Sequence, residues 1–192
     1  MMFLGPLGNV GCSPSNSTGR AGSSPNEIQT MPNFKGFIAK FKILTLPFNM
    51  NTSCYAPDSS FNTRLNMKND SVFIDYVGPA ISIGILPDTS RFYKLIYCTA
   101  AACYTPVLAV FSKDGKVISR ELISEGCGSE PGYSCKEELR VESSGKVVVE
   151  KTEESFKVDA RDQEIPGSRK GKSRSSVYSI RDDGTIMLMM QQ

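Results

Sequence analysis

The residues of this 192-residue chain best equipped for chemistry are its six cysteines, Cys12, Cys54, Cys98, Cys103, Cys127 and Cys135. A thiol can bond to a second thiol, bind a soft metal, attack an electrophile or carry a lipid, and its surroundings decide which. The chain has no histidine, the side chain most used to move protons near neutral pH and to bind zinc, copper or iron. Thiol catalysis and histidine metal sites therefore lack their usual second component. Five of the cysteines fall between residues 54 and 135 in polar, turn-like surroundings, a density that fits an oxidising compartment better than the cytosol. Cys98 and Cys103 flank a four-residue link between two apolar runs. This predicts a bridge across a hairpin tip, because facing residues of a non-hydrogen-bonded antiparallel pair lie within disulfide reach. Cys127 and Cys135 bracket GSEPGYS and are paired on similar grounds, each short loop adding about 2 to 3 kcal/mol in the chain-entropy account. Cys54 and Cys12 are left over. The same four thiols could instead hold zinc in a reducing compartment, but gaps of four and seven residues are not the two-residue knuckles of common four-cysteine sites.

Other chemistries find less support. A serine nucleophile would need a lysine base, and no motif places the two together. Asp75, Asp88, Glu137 and Glu138 could supply a carboxylate pair for acid–base work on sugars, yet sequence spacing does not bring any two together. Asp114-Gly115 and Asp182-Asp183-Gly184 read as turns rather than calcium loops, and no glycine-rich phosphate loop is present. No cofactor is expected. Net charge is +2, from 22 basic and 20 acidic residues, so no overall field steers the chain towards nucleic acid. One basic cluster, Arg161, Arg169, Lys170, Lys172 and Arg174, could meet phosphates, but without aromatic residues it offers no stacking platform and reads as a solvated loop.

The elements that must position these residues are mostly strands. Residues 93–97 are aromatic and branched and 107–111 are continuously apolar, which suits strands, and Asp114-Gly115 turns the chain back along 116–123. Residues 71–77 (SVFIDYV) and 81–86 (ISIGIL) read as two more strands. SKDGKVIS, ESSGKVVVE and RDDGTIML repeat one theme, a polar pair, a glycine and a strand. Their glycines, Gly115, Gly145 and Gly184, are 30 and 39 residues apart, too uneven for a true repeat and suited to a meander. The expected fold is all-β, an antiparallel meander from about 71 to 190 forming a small barrel or sandwich; a propeller would need more chain than is present. Phe34, Phe37, Ile38 and Phe41 fall on one helical face, predicting one short helix over 33–42. That face either plugs the β domain or, with Lys35, Lys40 and Lys42 beside it, lies on a membrane; at about ten residues it is too short to bind a membrane strongly. Residues 51–70 read as a long polar loop or irregular edge strands.

The chain opens MMFLGPLGNVGC and continues through a run rich in Ser, Gly, Asn and Pro. Val10-Gly11-Cys12 after a short apolar start resembles the bacterial lipoprotein pattern, in which a hydrophobic leader ends in a small residue followed by a lipid-bearing cysteine. The resemblance extends to the flexible tether and the β domain behind it. It implies lipid attachment at Cys12, residues 1–30 as leader remnant and tether, residues 31–192 as one domain, and a place on the extracytoplasmic side of the cell envelope. No run of 18 apolar residues occurs, so anchoring is expected to be covalent rather than through a spanning helix. The expected function is a non-catalytic binding or interaction module for an unidentified protein or glycan. The alternative is an exported carrier or enzyme with a pocket in its β domain.

Overall fold

The chain holds continuously apolar strands, such as Ala80–Ile85 and Tyr104–Phe111, and strands largely apolar at every second residue, such as Phe48–Thr52 and Tyr133–Val141, and they lie in two different sheets. The structure, a computed structural model, describes residues 33–52, 63–76, 78–100, 103–124 and 126–191; Cys12, Cys54 and residues 1–30 lie outside them. In chain order the elements are α1 (Phe34–Ile38), β1 (Phe48–Thr52), β2 (Thr63–Arg64), α2 (Met67–Ile74), β3 (Ala80–Ile85), β4 (Tyr93–Ala100), β5 (Tyr104–Phe111), β6 (Val117–Leu122), β7 (Ser129–Glu130), β8 (Tyr133–Val141), β9 (Val147–Ser155), β10 (Lys170–Ile180) and β11 (Ile186–Gln191). The first sheet runs β2-β3-β4-β5-β6. The second runs β1-β8-β9-β10-β11, with β7 paired to β8. All pairs within both sheets are antiparallel. Each sheet is largely a meander, and the two face each other as a sandwich rather than closing into a barrel.

The first sheet is the middle of three layers, which explains its unbroken apolar runs. Along β4 and β5 alternate residues enter two different cores. Ile96, Cys98, Leu108 and Val110 join Leu139, Val141, Val147 and Val149 between the sheets. Leu95, Tyr97, Val107, Ala109 and Phe111 face the other way, where Phe37, Phe41, Phe73 and Ile74 cover them. The second sheet has a solvent face, and along β9, VVVEKTEES, the three buried valines give way to polar residues that are exposed or only partly buried.

The helical face predicted around residue 33 is core. Asn33 caps α1 by accepting a hydrogen bond from Gly36 N at 2.9 Å, and Phe37 stacks on Phe73 with ring centroids 4.8 Å apart. Beyond the helix, residues 42–44 run against β3, with Leu44 N and Ile85 N each donating across at 2.8 Å. The approach is so close that a Cβ on Gly84 would fall 2.4 Å from Leu44 Cδ2 and 2.9 Å from the Lys42 carbonyl. The three predicted turns are present, with Gly115, Gly145 and Gly184 at φ of 91°, 81° and 89°.

Two expectations are corrected. Residues 71–77 do not form a strand: Ser71 to Ile74 belong to α2. Asn66 caps that helix by accepting from Lys68 N at 2.9 Å, and Asp70, itself buried, accepts from Asn66 N and from Lys40 Nζ, each at 2.5 Å. Asp75 ends it in the left-handed conformation. These polar caps at both ends outweigh the β-favouring composition of SVFIDYV. Cys98 and Cys103 are not bonded to each other, since Cys98 is a free, buried thiol. The register of β4 and β5 pairs Cys98 with Pro106 and ends at Ala100 with Tyr104. Cys103 therefore falls in the turn itself, beyond the last pair, while Cys98 points into the core between the sheets.

Candidate binding cleft

The sandwich has two ends of opposite character. At the end holding the β6–β7 connection, Cys127 and Cys135 are bonded with Cα atoms 5.3 Å apart, as their spacing led us to expect. Cys103 is also disulfide-bonded, and it lies against Gly126, where a Cβ would come within 3.2 Å of Cys103 Cβ. The zinc alternative fails on these facts, because disulfide sulfurs are no longer thiolate ligands. Burial pushes the free Cys98 thiol up to about 12, so it stays protonated and inert near neutral pH. Replacing Cys127 and Cys135 together by serine is expected to lower stability by about 2 to 3 kcal/mol. Urea denaturation without reductant measures this, and an unchanged midpoint would show that the bond does not constrain the unfolded chain.

The same end carries the buried Glu137, on the inner face of β8. Its Oε1 accepts from Thr52 Oγ1 at 2.6 Å and from Ser124 Oγ. Further out, Glu153 accepts from Tyr133 Oη and Arg174 Nη2 at 3.0 Å and lies 3.1 Å from Lys172 Nζ. Lys172 and then Tyr133 hold its carboxyl down at about 2. A depressed carboxyl contributes stability above its unfolded value and loses it as pH falls towards 2, so this cluster is a staple at neutral pH. The basic cluster is thereby largely spent within the protein. Lys172 and Arg174 serve Glu153, while Arg169 bonds Glu154 at 2.5 Å, pairs with Glu164 and lies over Phe156 at 4.5 Å.

The predicted carboxylates do not converge. Asp75 sits at the end of α2, 3.4 Å from Arg120. Glu137 and Glu138 point to opposite faces of β8 by strand alternation, and Asp88 lies at the far end of the sandwich. Asp114 and Asp183 accept donors of their own turns, from Ser112 and from Thr185 N. Among the described residues no group of three or more acidic or cysteine side chains could hold a metal ion.

At the opposite end the sheets part around a cleft of about 480 Å³. Three segments frame it: residues 86–92 after β3, 143–146 between β8 and β9, and 179–182 at the end of β10 and the start of the turn to β11. Leu46, Leu86, Phe92 and Ile180 form an apolar floor continuous with the core between the sheets. Lys94 reaches the cleft because it shares the inner face of β4 with Ile96 and Cys98, and it is half-buried there. Arg91, Lys146 and Arg181 stand on the rim. Two carboxylates are also present. Asp182 lies 3.7 Å from Arg91. Asp88 accepts from Ser90 Oγ at 2.6 Å, and that bond, followed by the Ser90 amide and the charge of Lys94, lowers its pKa. Lys94, Lys146 and Arg181 make no ion pair among the described residues. Sequence reasoning did not find this cleft, because its cations come from three separate stretches and none forms a motif. No known protein family, curated protein or solved structure matches this chain.

Proposed function

We propose that the chain is a non-catalytic binding module of the cell envelope, held to a membrane through a lipid on Cys12 and presenting the cleft at the end of its sandwich to a ligand. The observation that carries the binding part is Lys94, a half-buried ammonium beside an apolar floor without an ion-pair partner among the described residues. Removing a cation from water costs free energy unless something compensates it, and a bound anion would. The disulfides support an oxidising location, the setting in which such bonds form and persist. Among the described residues no helix is long and apolar enough to cross a membrane.

Fractionation tests the anchor. Wild-type protein is expected with the membranes, and Cys12→Ser in the soluble fraction; equal membrane association of the two removes the lipid. Non-reducing peptide mapping adds an independent check. Cys103 is bonded, and the cysteines left to pair with it are Cys12 and Cys54. A lipid-bearing Cys12 cannot form a disulfide, so the proposal requires Cys103 to be linked to Cys54. A Cys12–Cys103 peptide would refute it. Binding at the cleft is tested by titrating a chemically varied fragment set against the isotope-labelled protein. Amide shifts gathered around Phe92, Gly145 and Ile180 support the module, and shifts elsewhere or none would remove the cleft from the reading.

A further inference from the structure

We infer that the cleft takes a small amphipathic anion, an apolar chain or ring ending in a single carboxylate. The inference rests on the binding reading above and assigns its ligand. The floor and the rim call for the two halves of such a molecule. Among the described residues, Leu46, Leu86, Phe92 and Ile180 are the large apolar side chains at the cleft, and they pack against the core. They match a hydrocarbon tail or ring, which binds by leaving water. Around them stand four cations against two carboxylates. One of the cations, Arg91, is already engaged by Asp182 at 3.7 Å, while Lys94, Lys146 and Arg181 have charge to offer. Lys94 matters most, because it is half-buried on the face of β4 that continues into the core. An ion pair formed at a half-buried position is screened less than one on the open surface.

The size and charge of the cleft exclude other classes. About 480 Å³ lies in the range of small-molecule sites and is a poor fit to a protein surface, which would need a broad face. Nucleic acid would need a longer basic track and stacking aromatics, whereas among the described residues lining the cleft Phe92 is the one aromatic ring, and Arg91 already lies over it, 5.5 Å from its centroid. A cationic ligand would meet uncompensated lysines. A neutral apolar ligand would leave Lys94 with only the more distant charge of Asp88, and so would gain nothing from the cations that distinguish this end of the sandwich.

Decanoate, decanol and decyltrimethylammonium have the same tail and different heads, and titrating each into the labelled full-length protein below its micelle concentration separates the contributions. Decanoate is expected to shift the amides around Phe92, Gly145 and Ile180 and to bind at least about tenfold tighter than the other two. The triple substitution Lys94→Gln, Lys146→Gln, Arg181→Gln is expected to erase that preference and to leave decanol binding unchanged, which checks that the variant is folded. Equal affinity for decanoate and decanol, or an unaltered preference in the variant, would overturn the inference. If neutral or cationic fragments fill the cleft while decanoate does not, the ligand assignment is wrong and the binding module stands. If nothing fills it, both are wrong. Sedimentation of the delipidated protein with anionic vesicles, in place of decanoate binding, would transfer the cations to a membrane surface and also overturn it.

Discussion

Phe37→Ala is expected to lower the unfolding free energy by about 3 to 5 kcal/mol, the range for deleting a buried aromatic side chain. For a chain of this size that is a fall in Tm on the order of 10 °C. Phe37 is 1% exposed and stands at the centre of an aromatic cluster, with ring centroids 4.8 Å from Phe73, 5.2 Å from Phe41 and 5.9 Å from Phe111. It therefore joins both helices to the outer face of the first sheet. The loss combines the transfer of the ring to water with the cavity left among residues anchored on β5 and α2, which cannot all collapse into it. Val72→Ala is the control: Val72 is on the same helical cover but 58% exposed, and its replacement is expected to change stability by less than about 0.5 kcal/mol. The experiment also decides between the two meanings of the phenylalanine face. A membrane-binding face would lose vesicle affinity and keep its melting temperature, whereas a core face loses the melting temperature.

How much of this was legible in the sequence depends on how local each cause is. The Asp-Gly and Ser-Gly turns at Gly115, Gly145 and Gly184 were readable because one backbone conformation suffices to specify each. The strand at 107–111 was readable too, although its unbroken apolar run means more than a strand: it is the signature of burial on both faces, with helices on one side and the second sheet on the other. The α2 segment was misread because its residues favour strands, and the deciding interactions, Asn66 with Lys68 N and Asp70 with Lys40, lie outside or across from it. The Cys98 pairing failed on phase. Strand register is fixed by which residues face the core, and a shift along β4 and β5 would carry Leu95 and Tyr97 from one core to the other. The register that satisfies both cores places Cys98 opposite Pro106 and leaves Cys103 beyond the ladder. Cys127 and Cys135 close a loop of their own, and no distant constraint contradicted their spacing. The cleft lay beyond reach for the opposite reason, since Lys94, Lys146 and Arg181 meet only after the two sheets are stacked.

Ser124→Ala is expected to cost about 1 to 3 kcal/mol, and Thr52→Val a similar amount, because each removes a hydrogen-bond donor from a buried carboxyl. Glu137 is 2% exposed. Thr52 Oγ1 donates to its Oε1 at 2.6 Å from the end of β1, and Ser124 Oγ donates to the same atom from beyond the end of β6. Ser124 Oγ in turn accepts from Gly126 N at 2.9 Å, so the network extends to the residue that abuts Cys103 and the start of the Cys127 loop. One carboxyl thus ties both sheets and the stapled end together. The volume lost in Ser124→Ala is a single oxygen, so packing alone predicts a small effect and the unmet hydrogen bond dominates. A double-mutant cycle with Glu137→Leu tests this directly. Once the acceptor is gone, Ser124→Ala should become nearly neutral, giving a coupling energy in the range of about 0.5 to 3 kcal/mol for members of one network. Glu137→Gln, which keeps an oxygen acceptor, should be milder than Glu137→Leu. Strict additivity of Ser124→Ala and Glu137→Leu in urea denaturation would mean that the two side chains act separately, and the carboxyl would then be no link between the sheets.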